Sequence, residues 1–243
     1  MAKLSVNINK VATIRNARGE NTPNLIQVAM DCERFGAQGI TVHPRPDERH
    51  VTLKDVFQLK EVVKTEFNIE GYPDERYMKI IREIRPTQAT LVPDPPGVLT
   101  SNAGWDVVNN EVFLKEILIE LKEYGVRTSL FLEPDLKQLD KVKEVGADRI
   151  EWYTGPFAEN YSKDRKQAID KYILASNRAV ELGLGINAGH DLSLDNLAFL
   201  IQEIPAIDEV SIGHALISDA LYFGLENTIQ RYLYEIEKGM NKN

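Results

Sequence analysis

Short β-rich runs alternate with longer amphipathic stretches eight times along this chain, and that alternation leaves few folds open. Period-2 patterning predicts strands at residues 4–9, 39–44, 67–72, 89–93, 127–133, 149–154, 185–190 and 209–214. Helical patterning fills the intervals at 25–35, 53–67, 74–84, 111–124, 136–145, 164–182 and 194–204, with a further amphipathic helix at 229–238. Gly36, Gly125, Gly146 and Gly183 stand where four of these helices hand over to a strand, the place for a left-handed cap. A strand–helix order repeated throughout demands parallel strands. Eight units favour closure into a (β/α)8 TIM barrel with additional helices, and 243 residues suit a single catalytic domain of about 250 residues. The stretch 94–107, rich in Pro, Gly and Asn, is longer than the other connections and reads as an active-site loop.

Alternation also assigns faces. With Val6 and Ile8 turned out toward the helices, Asn7 and Asn9 point into the barrel. The same parity turns Thr41, His43 and Arg45 inward on the second strand, Asn68, Glu70 and Tyr72 on the third, Ser129, Phe131 and Glu133 on the fifth, and Glu151 and Tyr153 on the sixth. A barrel that only packs fills its interior with Val, Ile and Leu, whereas unpaired buried charges cost several kcal/mol each. Polar residues late in their strands therefore mark an active site at the C-terminal rim. The four histidines, His43, His50, His190 and His214, all fall at or just beyond predicted strand ends or in the loop after strand two, which suits proton transfer near neutral pH. No lysine is expected on an inner face, which argues against an enzyme Schiff base.

Phosphate-binding features recur on the same rim. Arg45 and Arg49 share the second connection with His50, and Arg15 and Arg18 share the first with Gly19. Ser211-Ile212-Gly213-His214 ends strand eight, and Ser218-Asp219 is expected to open the helix that follows. The second and eighth strands are read as opposite sides of the mouth.

A net charge of −8 argues against a nucleic-acid surface or a polybasic membrane anchor. No run of apolar residues is long enough to span a bilayer, and the N-terminus reads as a strand and not as a secretory leader. The lone Cys32 lies in a helical pattern and points to no oxidising compartment, so the cytoplasm is the default location.

Five stretches, Val6-Asn7-Ile8-Asn9, 12–19, 39–43, Asn187-Ala188-Gly189-His190 and Ile212-Gly213-His214-Ala215, together resemble the pyridoxine 5′-phosphate synthase family in the family's order. The resemblance implies a barrel that condenses 1-deoxy-D-xylulose 5-phosphate with 3-amino-2-oxopropyl phosphate, needs no metal or organic cofactor, and assembles as an octamer. It implies proton transfer by His43, Glu70 and His190, with Glu151 stabilising the transition state. It gives the deoxyxylulose phosphate to Arg45, His50 and Thr100, and the aminoketone phosphate to Asn7, Arg18, Gly213 and His214.

The chain departs from the family pattern twice. Asn9-Lys10 stands where many members carry Asp-His, so Asn9 is expected to hydrogen-bond a hydroxyl and Lys10 to meet a phosphate. Asp191 follows the strand-seven histidine where Gly is common, and is expected to turn away from the phosphate and cap the helix at 193–194. The rival readings are another phosphate-handling isomerase or aldolase barrel, a metal-dependent hydrolase using His43, His190, His214 and Glu70, and a non-catalytic ligand-binding barrel. No His-x-His or His-Glu-x-x-His spacing supports the metal.

Overall fold

The structure is a computed structural model and describes residues 1–94 and 103–241. Among the described residues, the strands are β1 (Lys3–Asn7), β2 (Gly39–Val42), β3 (Glu66–Gly71), β4 (Gln88–Leu91), β5 (Arg127–Leu132), β6 (Arg149–Tyr153), β7 (Gly185–Gly189) and β8 (Ile207–Ile212). All pair in parallel with their sequence neighbours, and β8 closes onto β1. The helices are α1 (Asn9–Asn16), α2 (Leu25–Arg34), α3 (Leu53–Val62), α4 (Glu75–Ile84), α5 (Glu111–Glu123), α6 (Leu136–Val145), α7 (Gly155–Glu181), α8 (Leu197–Glu203), α9 (His214–Phe223) and α10 (Leu225–Met240).

The outward strand residues Leu4, Val6, Ile40, Val42, Ile69, Ile150 and Ile186 are fully buried under the helices, where the apolar core sits. Gly36, Gly125, Gly146 and Gly183 all take positive φ at helix ends, as their positions predict. Cys32 is buried in α2, where burial, then Asp31 and Glu33, push its thiol up to about 12.

Several boundaries move, each for a local reason. β1 stops at Asn7, and Asn9 opens the helix α1 instead of ending a strand. α3 ends at Val62, before the β-rich run that becomes β3. α7 begins at Gly155, with a break at Asp164 (φ −154°, ψ 90°) where the helical pattern was expected to start. His214 opens α9, so Ser218 and Asp219 lie inside that helix.

The barrel interior is polar along its whole length, not only at the rim. At the N-terminal end Lys3 and Arg127 both pair with Glu66, Arg127 Nε donates to Gln88 at 2.9 Å, and Arg149 donates to Asn187 at 2.9 Å. One layer higher, Ser5 and Thr41 share a hydrogen bond of 2.7 Å, and Thr90 donates to Asn68 at 3.0 Å. These lower groups satisfy one another, so inward polarity there is structural. Lys3 corrects the expectation of no inward lysine: it shares the inner parity of Ser5 and Asn7 but lies at the end far from the rim.

Candidate functional site

Above the paired layers a cavity of about 650 Å3 opens at the C-terminal ends of the strands. Of the residues singled out from sequence, Asn7, Asn9, Lys10, His43, Arg45, His50, Glu70, Glu151, His190, Asp191, Gly213 and His214 all line it. All four histidines therefore share one cavity. Arg18 does not join them: it is exposed beyond α1 and does not line the cavity. Thr100 and much of the expected active-site loop lie outside the described residues. Thr13, Val92, Phe131, Leu192 and Ser211 also line the cavity. Ser211, already read with the strand-eight phosphate feature, shares the inner parity of Glu209 two residues before it.

Two glycines make room for the acidic centre. A Cβ on Gly189 would lie 2.5 Å from Glu151 Oε1, and one on Gly213 would lie 3.0 Å from the Asn7 Cβ. The first lets the Glu151 carboxyl occupy the barrel mouth; the second lets β8 approach the side chain that donates to Glu70 Oε2 at 3.4 Å. Desolvation, reinforced by Glu209, pushes the Glu70 carboxyl up to about 8. Glu151, 3% exposed, is raised well above the usual range by burial, then by Glu70 and Glu209. Burial thus biases both carboxyls toward their protonated forms.

The cationic side of the cavity is built on the β2 connection. Burial, then Arg45, holds His43 down to about 3, and burial, Arg45, Arg49 and Lys10 hold His50 down to about 4. Both imidazoles are neutral, with ring centroids 6.3 Å apart. His50 Nδ1 accepts from the Val51 amide at 2.9 Å, which leaves the proton on Nε2 as a donor.

Arg15, read from sequence as a phosphate ligand, is instead buried and bidentate to Asp55 at 2.6 and 2.8 Å. It and Asn16 donate to the His50 carbonyl at 3.3 and 2.8 Å, so this pair shapes the loop that carries His50. Asn9 has a comparable duty, since its Oδ1 accepts from the His43 amide at 3.0 Å. At the other end of the strand order, His214 opens α9, so the N-terminus of that helix, with Gly213 and Ala215, lines the same cavity. β2 and β8 both neighbour β1, so the two phosphate-binding features flank β1 and do not lie across the mouth from each other.

Asp191 does not cap the helix at 193–194. No helix opens there: α8 begins only at Leu197 and has no side-chain cap, Asn196 Oδ1 accepts from the Ser193 amide within the preceding turn at 2.9 Å, and Asp191 Oδ2 meets His190 Nδ1 at 2.8 Å. The site does not offer a metal cage: among the described residues no three His, Cys, Asp or Glu side chains are grouped to hold an ion.

A family model described as "Pyridoxal phosphate biosynthesis protein PdxJ" matches residues 4–238. A pyridoxine 5′-phosphate synthase of Porphyromonas gingivalis is 59% identical over 96% of this chain and 98% of its own. One of Cytophaga hutchinsonii is 56% identical over 98% of this chain and 100% of its own. Among solved structures, phosphoribosylanthranilate isomerase from Thermotoga maritima superposes with a TM-score of 0.61 at 10% identity, covering 98% of this chain and 99% of that one. Thiamine phosphate pyrophosphorylase from Pyrococcus furiosus gives 0.63 at 9%, covering 99% and 97%. At such identities these two speak for the barrel alone.

Proposed function

This chain belongs to the pyridoxine 5′-phosphate synthase family, and from that membership we propose that its cavity condenses 1-deoxy-D-xylulose 5-phosphate with 3-amino-2-oxopropyl phosphate, releasing pyridoxine 5′-phosphate, inorganic phosphate and water. The observation that carries the reading is one cavity holding carboxyls raised by burial beside imidazoles and guanidinium groups. An amine must attack a ketone, phosphate must leave, and a ring must close with loss of water. Each step moves protons among carbon, nitrogen and oxygen, so groups poised to give and to take them are required together.

In this reading Glu70, raised to about 8, gives a proton to a departing oxygen, and Glu151 stabilises the charge that develops beside it. His43 and His190 exchange protons with the substrates. Arg45 and His50 hold the deoxyxylulose phosphate, the first by charge and the second by its Nε2–H. Asn7, Gly213, His214 and the amides opening α9 hold the aminoketone phosphate. The imine forms between the two substrates. Incubating the protein with both phosphates tests the proposal: pyridoxine 5′-phosphate and free phosphate are expected together, and their absence overturns it.

Lys10, exposed at the start of α1 yet lining the cavity, adds a point charge near the Arg45 phosphate. Lys10→Ala is expected to raise the deoxyxylulose phosphate KM by about 2- to 5-fold at low salt, with little change in kcat, because an exposed charge is worth at most about 1 kcal/mol. The rise should shrink at about 0.5 M salt, where the Debye length falls toward 3 Å. Steady-state kinetics at both salts check it, and an unchanged KM at low salt would make Lys10 a surface residue.

The same proposal includes a cytoplasmic location and a homo-oligomer, the octamer of the family resemblance. No helix among the described residues is long and apolar enough to cross a membrane. Leu221 and Tyr222 on α9, 74% and 87% exposed, supply apolar surface for a partner copy.

A further inference from the structure

We infer that Asp191 is a positioning residue that fixes the tautomer of His190, so that this imidazole meets the substrates with an unprotonated Nε2. The inference rests on the reaction proposed above and assigns a role to the residue that departs from the family pattern.

The two residues stand directly after β7, both with left-handed backbone, φ +83° at His190 and +59° at Asp191. Non-glycine residues seldom occupy that region, and surrounding bonds must hold them there. Those bonds are present. Thr154 Oγ1 donates to the carbonyls of Gly189 and His190 at 2.6 and 2.5 Å, and Asn196 Nδ2 donates to the Asp191 carbonyl at 3.2 Å. The turn thereby presents the Asp191 carboxylate to Nδ1 of the neighbouring ring at 2.8 Å.

A carboxylate only accepts, so Nδ1 must carry a proton, and in the neutral ring Nε2 then keeps its lone pair. The carboxyl itself is held below its ordinary range, chiefly by that hydrogen bond. It therefore stays ionised. Tyr153 limits the ring on another side, edge-on at 5.0 Å between centroids, and Asp191 in turn helps burial raise the Tyr153 hydroxyl. His50 in the same cavity receives the opposite instruction, since a backbone N–H at its Nδ1 leaves Nε2 protonated. One histidine is thus set to donate and the other to accept, each by a neighbour in sequence. The bond to His190 also accounts for a carboxylate beside a dianion site, because its charge is engaged by the ring.

Four histidines make the test tractable by long-range 1H–15N spectra of 15N-histidine-labelled protein, with His190 assigned from a His190→Gln variant. The wild type should show His190 protonated at Nδ1. Asp191→Gly suits the positive φ and removes the acceptor, so the fold should survive while the proton moves to Nε2. Its kcat should fall about tenfold or more, with KM for either phosphate unchanged or lower. Asp191→Asn also tolerates this backbone and keeps an acceptor in Oδ1. It should retain the wild-type tautomer and recover most of kcat. An Asp191→Gly protein with the wild-type tautomer and kcat would overturn the inference, as would an Asp191→Asn protein no more active than Asp191→Gly. Should the wild type form no pyridoxine 5′-phosphate, the reaction falls, and the spectra still decide whether Asp191 holds the tautomer.

Discussion

Glu70→Gln is expected to cut kcat by about 100-fold or more while the barrel stays folded and both phosphates still bind. The carboxyl sits on the inner parity of β3, accepts from Asn7 at 3.4 Å, and is held up to about 8 by desolvation and by Glu209. Gln keeps the shape and the hydrogen-bonding capacity but cannot release or take up the proton. A group needed in its protonated form also predicts that wild-type kcat declines as pH rises through about 8.

Stability moves the other way. From its ordinary 4.5 up to about 8, the folded state keeps a proton that the unfolded chain has lost. Glu70 thus costs the fold progressively more as pH rises through that window, and a neutral amide escapes the cost. The Glu70→Gln protein should therefore be at least as stable as wild type near pH 5 and increasingly more stable toward pH 8. Urea melts at several pH values, read beside kcat, check both halves. Turnover within a few-fold of wild type would remove Glu70 from the proton-transfer set.

Arg45→Ala is expected to raise the Kd of 1-deoxy-D-xylulose 5-phosphate roughly 10- to 100-fold, the value of one charge-assisted hydrogen bond. His50→Ala should weaken the same ligand by only about 2- to 10-fold, because His50, held down to about 4, donates as a neutral ring. Neither change should alter the aminoketone phosphate by more than about 2-fold. His214→Ala, at the start of α9, should show the reverse preference. Titrating each variant with each substrate separately reads the pattern. Equal weakening of both ligands by all three changes would mean that the two phosphates do not have separate sites on either side of β1.

Much of this was legible in the chain because strand parity is a local rule. Once β1, β2, β3 and β6 are recognised, Asn7, His43, Glu70 and Glu151 must face inward, and the histidines must gather at one rim. The same rule misleads where parity carries no information about pairing. Arg15 and Asp55 are 40 residues apart, and only the packing of α1 against the β2 connection shows that the arginine is engaged by a buried carboxylate and not by phosphate. Inward polarity near the N-terminal ends, at Glu66, Arg127 and Arg149, looks like chemistry in a string of letters but is satisfied internally once the barrel closes. Asn9 looked like one more strand residue because its helical neighbours Lys10 to Asn16 have no strong apolar stripe.

By itself the sequence determined the barrel, its closure from eight strand–helix units, the family, and which residue types meet at the rim. These follow from periodicities and short motifs that a chain carries along its own length. Tertiary structure alone decided what state those residues occupy. Burial and the approach of Glu209 raise the Glu70 carboxyl, and burial, helped by the neighbouring cations, holds His43 and His50 down. A left-handed turn braced from Thr154 and Asn196 decides which nitrogen of His190 is bare. Desolvation and hydrogen-bond direction depend on groups brought together from distant parts of the chain, so no reading of neighbours in sequence could supply them.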